Sequence, residues 1–228
     1  MPNYDWLLFD ADNTLFDFSA AEAHSLEQTL KATDIEWSPE VLGIYREINH
    51  RAWTDYENGL LDKSMIRHLR FEQLLDRFKS ANDHEALSDV YRQGLSASTH
   101  LMPHAMELLN AVKGKYRLGL ITNGLVEVQY PRLRNTGIGA YFEVIVVSDE
   151  IGVAKPHSGF FDHAYGLMEQ PKKDKVLVIG DNPTADIGGA LSYGFHACWF
   201  KIPGVVRKPP SKPQYQITGL AELLSLIE

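Results

Sequence analysis

Trp6-Leu7-Leu8-Phe9-Asp10-Ala11-Asp12-Asn13-Thr14 joins an uninterrupted apolar run to two carboxylates and a threonine. A short run apolar at every position fits a strand buried on both faces, the kind found in a parallel sheet covered by helices. The carboxylates then fall at the carboxyl end of that strand, the edge of an open α/β sheet where ligands bind. At ordinary composition this spacing of Asp, Asp and Thr arises by chance only ~0.05 times in a chain of this length.

Working outward, similar apolar runs recur at Leu118–Thr122, Val144–Val147, Val176–Ile179 and Ala197–Phe200, with helical patterns between the later ones. That alternation predicts βαβ units and an α/β, Rossmann-like core around a parallel sheet. Roughly a hundred residues separate the first run from the second, and they read as helices. Ala23, Leu26 and Leu30 share helical spacing, as do Val41, Tyr45, Ile48 and Ala52, then Ile66, Leu69, Leu74 and Phe78, then Leu87, Val90 and Tyr91. Ser38-Pro39-Glu40 is an N-cap, a first-turn proline and an early acidic residue, which predicts a helix start. The expected division is a core of residues 1–16 and 99–228 and a helical insertion of residues 17–98. Ile202–Pro213, with Pro203, Gly204, Pro209, Pro210 and Pro213, is expected to be an exposed connection.

The 228 residues are 44% hydrophobic and 23% charged, ordinary globular usage that excludes a disordered or fibrous chain. A formal charge of −8 argues against a nucleic-acid polymer as partner, because such binding needs a basic face. It leaves room for a small phosphorylated substrate held by a few local cations. Met1-Pro2-Asn3-Tyr4-Asp5 opens without a basic region and apolar core, and no apolar run approaches the roughly 18 residues of a membrane span. The expectation is a cytoplasmic protein with no membrane partner. The single Cys198 lies in an apolar run and is expected to be a buried strand residue.

Four positions after strands carry chemistry. Phosphate-ester cleavage requires a nucleophile, charge neutralisation and a proton for the leaving oxygen, and Asp10 with Asp12 divide two of those tasks. Thr122-Asn123-Gly124 offers a hydroxyl and backbone N–H groups to phosphate oxygens. Lys155, fixed by Pro156, offers an ammonium that offsets repulsion between phosphate and carboxylates. Val176–Ile179 leads into Gly180-Asp181 and, one helical turn on, Asp186. Mg²⁺ takes oxygen ligands and usually one or two carboxylates, which Asp10 and Asp181 supply, with Asp186 orienting the surrounding shell. His24, His50 and His68 lie in separate predicted helices without metal-ligand spacing.

In this order the motifs Asp10/Asp12/Thr14, Thr122, Lys155 and Asp181/Asp186 resemble those of the haloacid-dehalogenase-like superfamily, and the helical insertion resembles its C1-type cap. The resemblance covers almost the whole chain. It implies a Mg²⁺-dependent phosphatase in which Asp10 is the nucleophile that forms a phosphoaspartate and Asp12 is the general acid/base. Thr122 and Lys155 would then bind phosphate, and the Asp10 side chain, the Asp12 backbone carbonyl and Asp181 would hold magnesium. Asn13 departs from the glycine or glutamate frequent between the second Asp and the Thr. The presence of Asp12 argues against the dehalogenase members.

Phe9–Phe16 and Trp53-Thr54-Asp55-Tyr56-Glu57-Asn58-Gly59 are similar to the YjjG/YfnB-type pyrimidine 5'-nucleotidases, which implies a nucleoside monophosphate as substrate. Trp53 and Tyr56, with Phe16 and Phe18, are the aromatics available for base stacking. A sugar-phosphate or phosphoglycolate phosphatase of the same superfamily remains an alternative. So does a phosphoacceptor signalling module, although that class lacks the cap and the Asp12 partner. No oligomeric state is read from the sequence.

Overall fold

The computed structural model describes residues 4–57, 59–202 and 208–227. The chain divides into two compact units, Met1–Phe18 with Thr99–Glu228, and Ser19–Ser98.

The first unit is built on a six-stranded sheet in the order β3-β2-β1-β4-β5-β6. Its strands are β1 (Trp6–Phe9), β2 (Arg117–Thr122), β3 (Val144–Val147), β4 (Val176–Gly180), β5 (His196–Phe200) and β6 (Tyr215–Ile217). Every neighbouring pair is parallel, and Phe9 stands level with Leu120 on one side and Ile179 on the other. The chain steps outward from β1 through β2 to β3, then returns to the other side of β1 for β4. That reversal makes the carboxyl ends of β1, β2 and β4 a topological switch point, the natural crevice of an open parallel sheet.

Side chains alternate across the strands into two buried clusters. Leu7, Phe9, Leu118, Leu120, Leu177, Ile179 and Cys198 meet Leu108 and Leu109 from one helix and Leu220 and Leu223 from another on one face. Trp6, Leu8, Val144, Val146, Val176, Val178 and Trp199 meet Phe160, Phe161 and Ala164 on the other. Both faces being covered explains why these strands read as continuous apolar runs. Cys198 is fully buried, and burial pushes its thiol up to about 12, so it is an inert packing residue. β6 adds a strand to the five apolar runs of the sequence, because its three residues, with Tyr215 partly buried, Gln216 exposed and Ile217 buried, are too few to show a period. Of the expected proline-rich connection, residues 203–207 lie outside the described residues, as do residues 1–3 of the opening segment.

The second unit contains four helices among the described residues: α1 (Phe18–Leu30, which begins one residue before it), α2 (Pro39–Glu57), α3 (Lys63–Phe78) and α4 (His84–Ala97). Ser38 Oγ accepts a hydrogen bond from Val41 N at 3.2 Å, which starts α2 at Pro39. Tyr45, Phe71 and Tyr91 form the centre, with ring centroids 5.3–5.5 Å apart. Val90 and Phe78, expected on the apolar faces, are exposed instead. The polar residues Glu22, Ser25 and Thr29 lie on the buried face of α1, which blurs its apolar period.

Two of those groups are paired: the Thr29 hydroxyl donates to Ser25 O at 2.7 Å, and Glu22 uses both carboxylate oxygens. Glu22 Oε2 accepts from Arg46 Nε at 2.7 Å and Oε1 accepts from Asn49 Nδ2 at 3.0 Å. Asn49 Oδ1 in turn accepts from Arg70 at 3.0 Å. Among the described residues, no helix is long and apolar enough to cross a membrane.

Candidate active site

Asp10 leaves β1 with its backbone N–H donating to Ile179 O at 2.8 Å, so the first carboxylate is tied to the end of β4. The chain then folds tightly: Leu15 and Phe16 N–H groups both donate to Ala11 O at 2.9 Å. Asn13 sits at the crest with φ 61°, a left-handed conformation that Asn tolerates better than most residues. The departure from the superfamily pattern at this position is therefore compatible with the turn.

Lys155 is buried beneath the acidic cluster, after the short helix α7 (Ser148–Ile151) that follows β3. It was reached through two earlier helices of this unit, α5 (Ala105–Val112) and α6 (Val126–Thr136). Its Nζ donates to Asp10 Oδ1 at 2.8 Å, Asp186 Oδ1 at 2.6 Å and Ile121 O at 2.9 Å. Those three bonds take all the donors of an ammonium group. Contact between Lys155 and a phosphate oxygen would therefore require exchange of one of them.

Asn123 braces the same lysine. Its Nδ2 donates to Lys155 O at 2.9 Å and its Oδ1 accepts from Lys155 N at 2.9 Å. The Asn123 side chain is thus committed to the backbone around Lys155. Thr122, at the end of β2, accepts from Gly124 N at 3.0 Å and keeps its O–H to donate.

Asp10, Asp181 and Asp186 place carboxylate oxygens within 4.8 Å of one another. Asp186 Oδ2 accepts from Asn182 N at 3.0 Å, so both its oxygens are engaged by the protein. A Cβ on Gly180 would lie 2.6 Å from that of Asp186, so glycine is required where β4 ends. Asn182 Oδ1 accepts from Thr184 and Ala185 N–H groups at 3.0 Å and starts the π-helical turn Pro183–Gly188 that carries Asp186. Burial, then the charge of Asp186, pushes Asp10 up to about 7, with Lys155 only partly opposing them. Burial, followed by the charges of Asp10 and Asp186, raises Asp181 well above the carboxylate range. Burial disfavours the Lys155 ammonium, but Asp10 and Asp186 outweigh it and raise that group overall.

Asp10 Oδ2 is buried without a hydrogen-bond partner. An orphaned carboxylate oxygen among mutually repelling carboxylates is a place for positive charge, and an all-oxygen donor set suits Mg²⁺. The residues present fit that ion.

Asp12 is held by two residues that sequence reading did not find. Gln129 Nε2 donates to Asp12 Oδ2 at 2.6 Å and Arg132 donates to Asp12 Oδ1 at 2.5 Å. Both lie on α6, three residues apart and hence on one helix face. The available signal was their position, on the first helix after the Thr122-Asn123-Gly124 turn.

Phe16 is fully buried and its ring packs against Arg132 at 4.0 Å, so the expectation that it stacks on a base is corrected. Trp53 and Tyr56 belong to the helical unit, where their rings meet edge-on at 5.9 Å and Lys63 Nζ lies 6.0 and 5.5 Å from them. Of the same motif, Asn58 and the side chain of Glu57 lie outside the described residues. In the same unit His68 meets His84 and Glu85, with ligand atoms within 4.8 Å, a surface grouping that spacing along the chain conceals.

Comparison with known proteins supplies the remaining context. The pyrimidine 5'-nucleotidase YjjG of Escherichia coli is 32% identical over 224 residues, covering 98% of both chains. The pyrimidine 5'-nucleotidase PynA of Streptococcus pneumoniae is 29% identical and covers 99% of this chain and 95% of its own. The crystal structure of the HAD-hydrolase YfnB of Bacillus subtilis, bound to magnesium, superposes with a TM-score of 0.93 at 31% identity and covers 99% of each chain. The haloacid dehalogenase-like hydrolase family matches residues 4–194, a span that takes in each acidic motif at the sheet edge. With that span and these full-length likenesses added to the geometry, the chain belongs to the haloacid dehalogenase-like hydrolases.

Proposed function

We propose that this protein is a Mg²⁺-dependent phosphatase that hydrolyses pyrimidine nucleoside 5'-monophosphates through a phosphoaspartate on Asp10. The observation that carries the chemistry is the pairing of unlike carboxylates: Asp10 buried against Lys155, Asp12 partly open and held by neutral and cationic donors. A carboxylate of Asp10 attacks phosphorus as the ester P–O bond breaks, and Asp12 gives its proton to the departing alkoxide. Asp12 then takes a proton from water as that water attacks the phosphoaspartate, releasing inorganic phosphate and restoring Asp10. Magnesium, when bound by the Asp10 side chain, the Asp12 backbone carbonyl and Asp181, supplies positive charge against the anionic phosphate. Thr122 and the backbone of Asn123 bind phosphate oxygens. Lys155 contributes chiefly its charge and the placement of Asp10, and Asp186 orients Lys155.

In this reading residues 1–16 and 99–228 are the catalytic core and residues 17–98 the cap that selects the leaving group, with Trp53 and Tyr56 as its base contacts. The full-length likeness to two pyrimidine 5'-nucleotidases supports the substrate assignment. A chain without a described membrane-spanning helix agrees with action on a small substrate in the cytoplasm. The deciding experiment measures kcat/KM for dUMP, dTMP, a purine monophosphate and phosphoglycolate with Mg²⁺ and after chelation. Pyrimidine monophosphates are expected to lead, with all activity lost on chelation. Preference for phosphoglycolate over every nucleotide would overturn the nucleotidase assignment alone, and full turnover without metal would overturn the mechanism.

A further inference from the structure

Arg132 is a large side chain with no exposure, yet its Nε and one terminal nitrogen find no hydrogen-bond partner. Burying a guanidinium is costly unless an anion compensates it, and among the described residues the carboxylate it pairs with is Asp12. The remaining compensation is the face of Phe16, 4.0 Å from the guanidinium carbon. Gln129, also buried, reaches the other oxygen of the same carboxylate. A third residue makes room for it: a Cβ on Gly124 would lie 2.8 Å from Gln129 Cγ and closer still to its amide. Gly124 has no positive φ, so the glycine serves this close approach and not the turn.

Two donors on two different oxygens fix the plane of a carboxylate, because rotation about its last bond breaks both contacts. A carboxylate has about four acceptor positions, so two remain. The side chain of Asp12 is 27% exposed, which leaves that free edge accessible. We infer that Gln129 and Arg132 are positioning residues that clamp Asp12 for proton transfer to the leaving oxygen, and that Gly124 is the space the clamp needs. This rests on the assignment of Asp12 as the acid/base. Gln129 and Arg132 grip the Asp12 side chain, whereas the metal in that assignment takes the Asp12 backbone carbonyl.

Because the clamp acts through protonation of the leaving group, its removal should be felt in proportion to how badly that group needs a proton. The test is a single-turnover measurement of the first bond cleavage in Arg132→Met, Arg132→Lys, Gln129→Leu and Gly124→Ala, with Asp12→Asn as reference. Two substrates are used with Mg²⁺: dUMP, whose alkoxide needs a proton, and 4-nitrophenyl phosphate, whose phenolate does not. For Arg132→Met the dUMP step is expected to fall about 100-fold, the scale of general-acid catalysis, while 4-nitrophenolate release falls less than about threefold. Gln129→Leu and Gly124→Ala should show the same split at about tenfold, and Arg132→Lys should recover part of the dUMP loss. Thermal unfolding identifies any variant that is not folded, and Gln129→Leu, which leaves no buried charge unpaired, carries the test if Arg132→Met fails to fold. Equal losses on both substrates, or no loss on dUMP, would overturn the clamp. If Asp12→Asn itself cleaves dUMP normally, the acid/base assignment falls instead, so the two failures are told apart.

Discussion

Two buried charge clusters in this protein are built in opposite ways. In the helical unit, Glu22 spends both oxygens on Arg46 and Asn49, and Asn49 passes the chain on to Arg70. Burial still raises Glu22 above its usual value, but Arg46, Asn49 and Arg70 all pull it back. At the sheet edge, three carboxylates face one lysine, and Asp10 keeps an oxygen without a partner. A network closed on itself holds helices in register. One left short of positive charge is arranged to receive it from outside.

The comparison is broken most sharply by removing one carboxylate from each cluster. Asp10→Asn is expected to lower phosphatase turnover by at least about 10³-fold, because the nucleophile is lost, and to leave the metal-free protein as stable as wild type or more so. Glu22→Ala is expected to keep the catalytic residues intact but destabilise by roughly 3–5 kcal/mol, because Asn49 and Arg70 lose their buried anion. Denaturant unfolding alongside steady-state kinetics reads both. A Glu22→Ala protein as stable as wild type would show that the closed network is incidental.

A comparable stability cost is expected at Asp12, on the side of the site where charges are balanced. Asp12→Ala strands the buried Arg132 and should cost about 3 kcal/mol or more, unlike Asp10→Asn. Calorimetry of the two variants under the same conditions makes the comparison direct.

The pH dependence sharpens the contrast further. A carboxyl raised from 3.8 to about 7 holds in the fold a proton that the unfolded chain has already released. Its stabilising share is therefore complete below the unfolded value and is lost as pH climbs through about 7. Metal-free wild type should lose stability relative to Asp10→Asn between about pH 4 and 7, and Mg²⁺ should raise the midpoint of unfolding more at pH 7 than at pH 5. Thermal scans with and without Mg²⁺ check this, and a pH-independent metal effect would contradict it.

The smallest expected effect lies in the turn that follows the two catalytic carboxylates, at Asn13. Asn13→Gly should change stability by less than about 0.5 kcal/mol, whereas Asn13→Ala should cost about 1 kcal/mol at its left-handed φ. Equal costs for both would mean that the Asn13 side chain contributes through its contacts.

The sequence by itself determined the parallel core, because strands buried on both faces write continuous apolar runs and because the acidic, hydroxyl and lysine positions each follow such a run. Local composition also marked the start of α2 at Ser38-Pro39 and the buried place of Cys198. Only the tertiary structure decided which donors each functional group already spends. Lys155 has its three bonds taken, Asn123 is committed to the Lys155 backbone, and Asp12 is gripped from α6, more than a hundred residues away in sequence. Gln129 and Arg132 write as ordinary polar residues on a helix, since a side chain's partner depends on what the fold brings opposite it. The polar buried face of α1 escaped because hydrophobic periodicity records burial of apolar groups and carries no signal where a buried group such as Glu22 is offset by pairing, and β6 escaped because three residues are too few to show a period.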